Sequence, residues 1–163
     1  MGVTNVCFTI PIFKKGDRKI LDNYGGITLL SAVLKLFTKI LSETISHTGI
    51  VEEQQDFRRN RSTIDAVFIL RQIIEKAIEF NKPAFLCFVD LTKAFDRVQL
   101  KDVVALLQQL NVDDRIIAAV KHLNTNNTTC TRSNSGMSKI LEVSSGIGQG
   151  DSLSPILFNL IMD

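Results

Sequence analysis

The chain has 163 residues, 45% of them apolar, and a formal net charge of +2. That length suits one domain or a part of a larger one with a real core, and so small a charge does not by itself announce a nucleic-acid partner. No apolar run reaches transmembrane length, and the N-terminus lacks a basic stretch leading into a clean apolar one, so neither a membrane span nor a signal peptide is expected.

Three cysteines, Cys7, Cys87 and Cys130, lie far apart with no C-x-x-C, and His47 and His122 are isolated. Neither a zinc site nor a disulfide framework is indicated, which fits a reducing, intracellular setting in nucleus or cytoplasm. Met1-Gly2 would suit myristoylation, but Val6 stands where Ser or Thr is wanted. The basic excess sits in residues 1–61, clustered at Lys14, Lys15, Arg18, Lys19 and again at Arg58, Arg59, Arg61. Both clusters also read as solvated basic turns.

In chain order, residues 6–13 predict a strand broken by Pro11, hence an edge strand at best. Lys14 to Asp17 is a turn, and residues 22–26 are a second one around Gly25-Gly26. Val33, Leu34, Phe37, Ile40, Leu41 and Ile45 have helical spacing, so a helix is expected over 32–46 with Ser31 as cap. After the polar, basic stretch 54–61, Ser62-x-x-Asp65 is a capping box that opens a helix to about Phe80. Its expected buried face is Ile64, Val67, Phe68, Ile74 and Ile78. Asn81-Lys82-Pro83 ends it, and the apolar run to Val89 predicts a buried strand over 84–90 that ends on Asp90. Helices follow at 99–110 and 114–123, with Asn111 as the stop between them. Asn, Thr and Ser enrichment over 124–136 suggests a hairpin with strands near 128–132 and 138–143 around Asn134-Ser135-Gly136. Ser154 as cap and Pro155 at the first helical position open a last helix. It is still apolar at Asp163, which suggests a truncated domain.

Two segments carry the chemistry. A strand that ends on a carboxylate sets a fixed anion at a sheet edge, a good place to hold a divalent metal. Asp90 is in that position; Asp96, followed by Arg97, reads more readily as a local ion pair or cap. The second segment is Gly146-x-Gly148-x-Gly150. It invites a dinucleotide-binding reading, but Asp151 occupies the sixth position and Ser154-Pro155 falls where the helix should already run. Gly-Lys-Ser/Thr, as a P-loop needs, is absent. What remains is a backbone-rich turn bearing one amide side chain, Gln149, whose N–H groups can approach a ligand closely.

Four segments together resemble the reverse transcriptases of non-LTR (LINE-type) retrotransposons, over nearly the whole chain. They are Pro11 to Asp17 with Asn23 to Ser31; Gln55 to Asp65; Phe88 to Val98; and Gly146 to Asn159. The resemblance implies an α+β fold, a right-hand polymerase with fingers and a partial palm. Residues 1–83 would be the fingers region and 84–124 the first palm segment. Residues 125–145 would be a hairpin returning to the fingers, and 146–163 a nucleotide-side turn with the start of a palm helix. It implies RNA-directed DNA polymerisation with an RNA template, a DNA primer, dNTPs and two Mg²⁺ ions, and no membrane.

It also implies residue roles. Asp90 would be the first catalytic carboxylate, with the Leu91 carbonyl as a further metal ligand. Phe95 would be the ring that excludes a 2′-hydroxyl, although a core Phe is the plain alternative. Gln149 and Gly150 would lie along the incoming nucleotide, Lys14 and Lys15 would meet its phosphates, and Arg58 and Arg61 the template backbone.

The chain departs from the family pattern at Gly25, where Arg usually grips the triphosphate, at Gly148, usually Arg or Lys, and at Asp56, usually Gly. A charged hydrogen bond is worth about 1.5–3 kcal/mol, so Gly25 implies a roughly 10- to 150-fold loss in nucleotide affinity. The family's paired aspartates would lie beyond Asp163, so the isolated chain is expected to be inactive. Two other readings compete: a non-catalytic remnant that binds nucleic acid weakly, and an unrelated Mg²⁺-dependent phosphotransferase.

Overall fold

The computed structural model describes residues 6–46, 51–133, 136–143, 145–148 and 150–163, and for Val6 the backbone alone. The architecture is α+β. Strand β1 (Val6–Phe13) pairs antiparallel with β2 (Tyr24–Leu29) and parallel with β3 (Thr128–Ser133). Two short strands, β4 (Gly136–Met137) and β5 (Leu141–Glu142), pair antiparallel with β3. The helices are α1 (Ala32–Ile45), α2 (Thr63–Glu79), α3 (Ala94–Arg97), α4 (Leu100–Gln109), α5 (Asp114–Leu123) and α6 (Leu153–Met162).

β1 is therefore central rather than an edge strand. Pairing to β3 spans only Val6 to Thr9, whereas pairing to β2 continues to Phe13. Pro11 lies opposite Gly26 in the half bordered on one side only, where a missing N–H costs no second ladder bond. Thr9 and Thr129 join hydroxyls across the parallel pair at 2.7 Å. The expected turn at 22–26 is instead a 3-10 turn (Leu21–Asn23) leading directly into β2. Gly25 and Gly26 extend here because β1 supplies the partner backbone, which outweighs their turn preference.

The helix starts follow the local chemistry. The Ser31 hydroxyl accepts from the Leu34 N–H at 3.2 Å to cap α1. Ser62 and Asp65 form a reciprocal capping box on α2. Asn81 and Asn111 take left-handed φ values of 48° and 54° and terminate α2 and α4. The last helix starts earlier than expected. It begins at Leu153, and Asp151 serves as cap, its Oδ1 accepting from Leu153 N–H at 3.0 Å and Ser154 N–H at 2.7 Å. Pro155 then sits in the first turn, where no intrahelical donor is required.

The core is built by α1, α4, α5 and α6. Leu41 and Ile45 meet Val103 and Leu107, Ile117 and Val120, and Leu153, Leu157 and Leu160. Each such buried side chain contributes about 1.5–3 kcal/mol. Two expectations fail against this core. Ile64, Val67, Phe68, Ile74 and Ile78 of α2 are exposed, and α2 buries no residue. The strand over 84–90 is also absent: Phe85, Phe88 and Val89 are 94%, 81% and 81% exposed and make no sheet pairing. A run apolar on both faces becomes a strand only between partner strands. The described sheet is fully assigned to β1–β5 and offers none.

α5 carries a pH-sensitive cap. Asp113 accepts from the Arg115 N–H at 2.8 Å and from its guanidinium at 3.0–3.1 Å, and these bonds lower its carboxyl pKa from 3.8 to about 2. The folded pKa lies below the unfolded one. The cap's contribution is thus full above pH 3.8 and is lost as pH falls through about 2. We expect Asp113→Ala to lower the urea midpoint at pH 6, with the gap to wild type closing towards pH 2. A gap independent of pH would contradict the assignment.

Candidate functional site

Asp90 lies in the segment that makes no sheet pairing, exposed to solvent, rather than at a strand end. The chain then turns at Lys93, which takes a left-handed φ of 52° and starts α3. The Lys93 Nζ donates to Asp22 Oδ1 at 2.9 Å, and that bond holds the ammonium pKa above the ordinary lysine value. The loop after Asp90 is thereby tied to the 3-10 turn that precedes β2.

The glycine turn docks against the same loop. The Gly146 N–H donates to the Val98 carbonyl and the Ile147 N–H to the Phe95 carbonyl, both at 3.1 Å. Gly146 has φ +89°, and a Cβ there would stand 2.9 Å from the Asp96 Cα. At the other end of the turn, Gly150 has φ +125°, and a Cβ would meet the Thr28 carbonyl oxygen of β2 at 2.5 Å. Three segments that are remote in sequence, 90–98, 146–151 and 21–29, are therefore joined through backbone contacts that only glycine permits.

Phe95 is half-buried. Its ring stacks on Phe158 of α6, with centroids 4.7 Å apart, and meets Phe57 edge-on at 6.1 Å. Lys14 and Lys15 follow β1 and are exposed. The Lys14 N–H donates to the Asn23 carbonyl at 2.9 Å, and its side chain crosses Gly25, where a Cβ would meet Lys14 Cε at 2.5 Å. The room left by the missing Gly25 side chain is thus filled by Lys14. Gln149 lies outside the described residues.

The second basic cluster is turned partly inward. Arg58 Nη1 donates to the carbonyls of Val51 at 2.8 Å, Gln54 at 3.3 Å and Glu52 at 3.4 Å. Arg61 pairs with the Glu52 carboxylate. Arg59 is exposed with no ion-pair partner among the described residues. Sequence reasoning missed the parts played by Lys93, Asp22, Asp151 and Glu52. Asp151-x-x-Ser154 ahead of an apolar run was a cap signal for Asp151; the Lys93–Asp22 pair spans 71 positions and had no local sign.

Asp90 and the Leu91 carbonyl supply hard oxygen donors of the kind Mg²⁺ prefers. Among the described residues no three His, Cys, Asp or Glu side chains converge to complete a metal site. No described helix is long and apolar enough to cross a membrane.

With this geometry in view, the chain belongs to the reverse transcriptase (RNA-dependent DNA polymerase) family, whose model matches residues 12–163. Its α+β arrangement fits the fingers and first palm part of such an enzyme. The relatives it matches are proteins of retrotransposable elements and transposons. A retrovirus-related Pol polyprotein from type-1 retrotransposable element R2 of Popillia japonica is 29% identical over 157 residues, which cover 95% of this chain and 22% of that protein. The transposon TX1 uncharacterized 149 kDa protein of Xenopus laevis is 24% identical over 153 residues, 92% of this chain and 12% of that protein. A probable RNA-directed DNA polymerase from transposon BS of Drosophila melanogaster is 24% identical over 144 residues, 85% of this chain and 16% of the relative. The chain thus spans less than a quarter of the curated relatives it matches.

Proposed function

We propose that this chain is the fingers and first palm portion of an enzyme that copies an RNA template into DNA from a DNA primer and dNTPs. The observation that carries the reading is the joint of residues 90–98, 146–151 and 21–29, which gathers three of the four family motifs at one place. In this reading residues 1–83 serve as fingers, 84–124 as first palm segment and 146–163 as nucleotide-side turn and palm helix. Residues 125–145 return to the fingers; the parallel pairing of β3 with β1 supports that return. Such substrates imply an intracellular setting.

Asp90 and the Leu91 carbonyl would hold divalent metal, which when bound neutralises charge on the triphosphate and the primer 3′-oxygen. Phe95, buttressed by Phe158, presents a ring edge that leaves no room for a 2′-hydroxyl. Gly150 lets the turn's backbone, with Gln149, lie along the nucleotide. Lys14 and Lys15 attract its phosphates. Arg61 and Arg59 meet the template backbone, and Arg58, bonded to the Val51, Glu52 and Gln54 carbonyls and paired with the Glu52 carboxylate at 3.5 Å, shapes the loop they stand on.

The test is primer extension by a chimaera in which residues 12–163 replace the matching segment of the Popillia japonica R2 relative. Extension that requires the RNA template, a divalent metal and dNTPs supports the reading. A soluble, duplex-binding chimaera that never extends would overturn it.

Gly25 offers a finer check. Because Lys14 already occupies that space, Gly25→Arg exchanges one cation for another rather than adding one. In the chimaera we expect the dNTP KM to fall less than about tenfold, against the roughly 10- to 150-fold that an added charged contact would bring. A fall near the upper figure would show that Lys14 does not act there.

A further inference from the structure

We propose that Asn159 is a positioning residue that fixes the turn at Asp56 and Phe57 on α6, so that Arg59 and Arg61 are presented to a nucleic-acid backbone. The inference rests on the nucleic-acid reading given under Proposed function and assigns a role to a residue outside the proposed catalytic set.

Asn159 stands in α6, a strongly apolar helix, and is 1% exposed. A buried amide costs free energy unless it is bonded, and a leucine would fill this position without that cost. The Nδ2 donates to the Asp56 carbonyl at 2.7 Å, while Oδ1 has no partner among the described residues. The one side-chain bond the amide makes among the described residues is therefore to a turn far away in sequence, so its work lies in holding that turn.

The neighbouring residues reinforce the same junction. Phe57 follows Asp56 and takes a left-handed φ of 53°, unusual for an aromatic residue. Its ring meets Phe95 edge-on, and Phe95 stacks on Phe158, the residue before Asn159. Two consecutive residues of α6 thus engage two consecutive residues of the turn, with Phe95 between the rings. One helical turn further, Asp163 Oδ2 accepts from the Val51 N–H at 3.0 Å. The loop over 51–61 is fastened to α6 and its C-cap residue at its start, Val51, and near its middle, Asp56, and is closed internally by Arg58. What it leaves facing outward is Arg59, while Arg61 is half-buried and paired with the exposed Glu52 carboxylate, from which a phosphate would have to draw it. Anchoring cuts the conformational entropy lost when these cations meet phosphates. It also sets them on the helix that supports Phe95.

The experiment measures binding of a fluorescent RNA–DNA template–primer duplex to this chain across a salt series, alongside circular dichroism and thermal melts. Wild type should show affinity that falls steeply with salt. Asn159→Ala should weaken binding at least about threefold and reduce the slope of log K against log salt by about 0.9 for each phosphate that is no longer neutralised. In an Arg59→Ala/Arg61→Ala background the same change should have no further effect, because it acts only through those cations. A merely structural loss would instead weaken both backgrounds alike. If Asn159→Ala does not fold, Phe57→Leu, at a largely exposed position, removes the ring contact and should give the same loss of slope. Folded variants with unchanged slope, or effects that add to the arginine changes, would overturn the proposal alone. A wild type that binds no duplex would overturn the nucleic-acid reading and this inference with it.

Discussion

Asp90→Ala is expected to lower primer extension by the chimaera about 10³-fold or more, equivalent to about 4 kcal/mol of barrier. The effect is electrostatic. A carboxylate that holds metal at the reacting phosphate acts where charge is redistributed in the transition state, and its removal cannot be repaid by water in a closed site. Asp90 is exposed, and no other described residue reaches its carboxylate with a hydrogen bond or ion pair, so truncation to Ala breaks no intramolecular contact of that kind. Template–primer affinity should therefore stay within about twofold, and the loss should fall on kcat rather than on binding. Asp96 provides the comparison. It stands in α3, six residues on, with its backbone packed under Gly146 and its side chain exposed. Asp96→Ala removes a surface acid and should cost less than about tenfold. Equal losses at both positions would show that Asp90 has no special role. Loss of duplex binding along with extension would show that Asp90 supports the fold instead.

What the sequence revealed, and what it hid, divides along a physical line. Helix starts and stops are local, and they were legible: Ser31, the Ser62/Asp65 box and Asn111 act where their chemistry says they should. The family motifs were legible for a related reason, since several short constraints at a set spacing carry more information than any one of them. Strand neighbours were not, because a strand's place is set by partners far along the chain. Pro11 was read as the mark of an edge strand, and nothing nearby showed that β3 would pair with residues 6–9 of β1 and make it central. The same reasoning explains residues 84–90. Their composition is that of a buried strand, and only the described sheet, complete without them, leaves them solvated. Helix α2 shows that an apolar periodicity predicts a face, not what covers it. At the site, residue types could be read but not their engagements: Lys14 over Gly25, Glu52 on Arg61 and Lys93 on Asp22 all depend on tertiary placement.

The glycine turn separates these two kinds of information within five residues. Gly150→Ala is expected to destabilise the chain by about 2–4 kcal/mol. One part is the backbone: φ +125° is a region that side-chain-bearing residues rarely adopt, at a cost of about 1–3 kcal/mol. The other part is contact. The new Cβ would lie 2.5 Å from the Thr28 carbonyl oxygen, a backbone atom of a paired strand that cannot swing away as a side-chain end can. Relief requires the turn to lift off β2. Gly148→Ala, two residues earlier, should change stability by less than about 0.5 kcal/mol, because Gly148 is exposed and a Cβ there meets nothing within 4 Å. Gly148→Arg should be tolerated equally well, even though it restores the basic residue usual in the family. Urea denaturation of the three variants beside wild type measures all of this. A Gly150→Ala variant as stable as wild type would mean that the turn does not rest on β2. A Gly148→Ala variant as damaged as Gly150→Ala would mean that the whole turn, rather than its last residue, is packed.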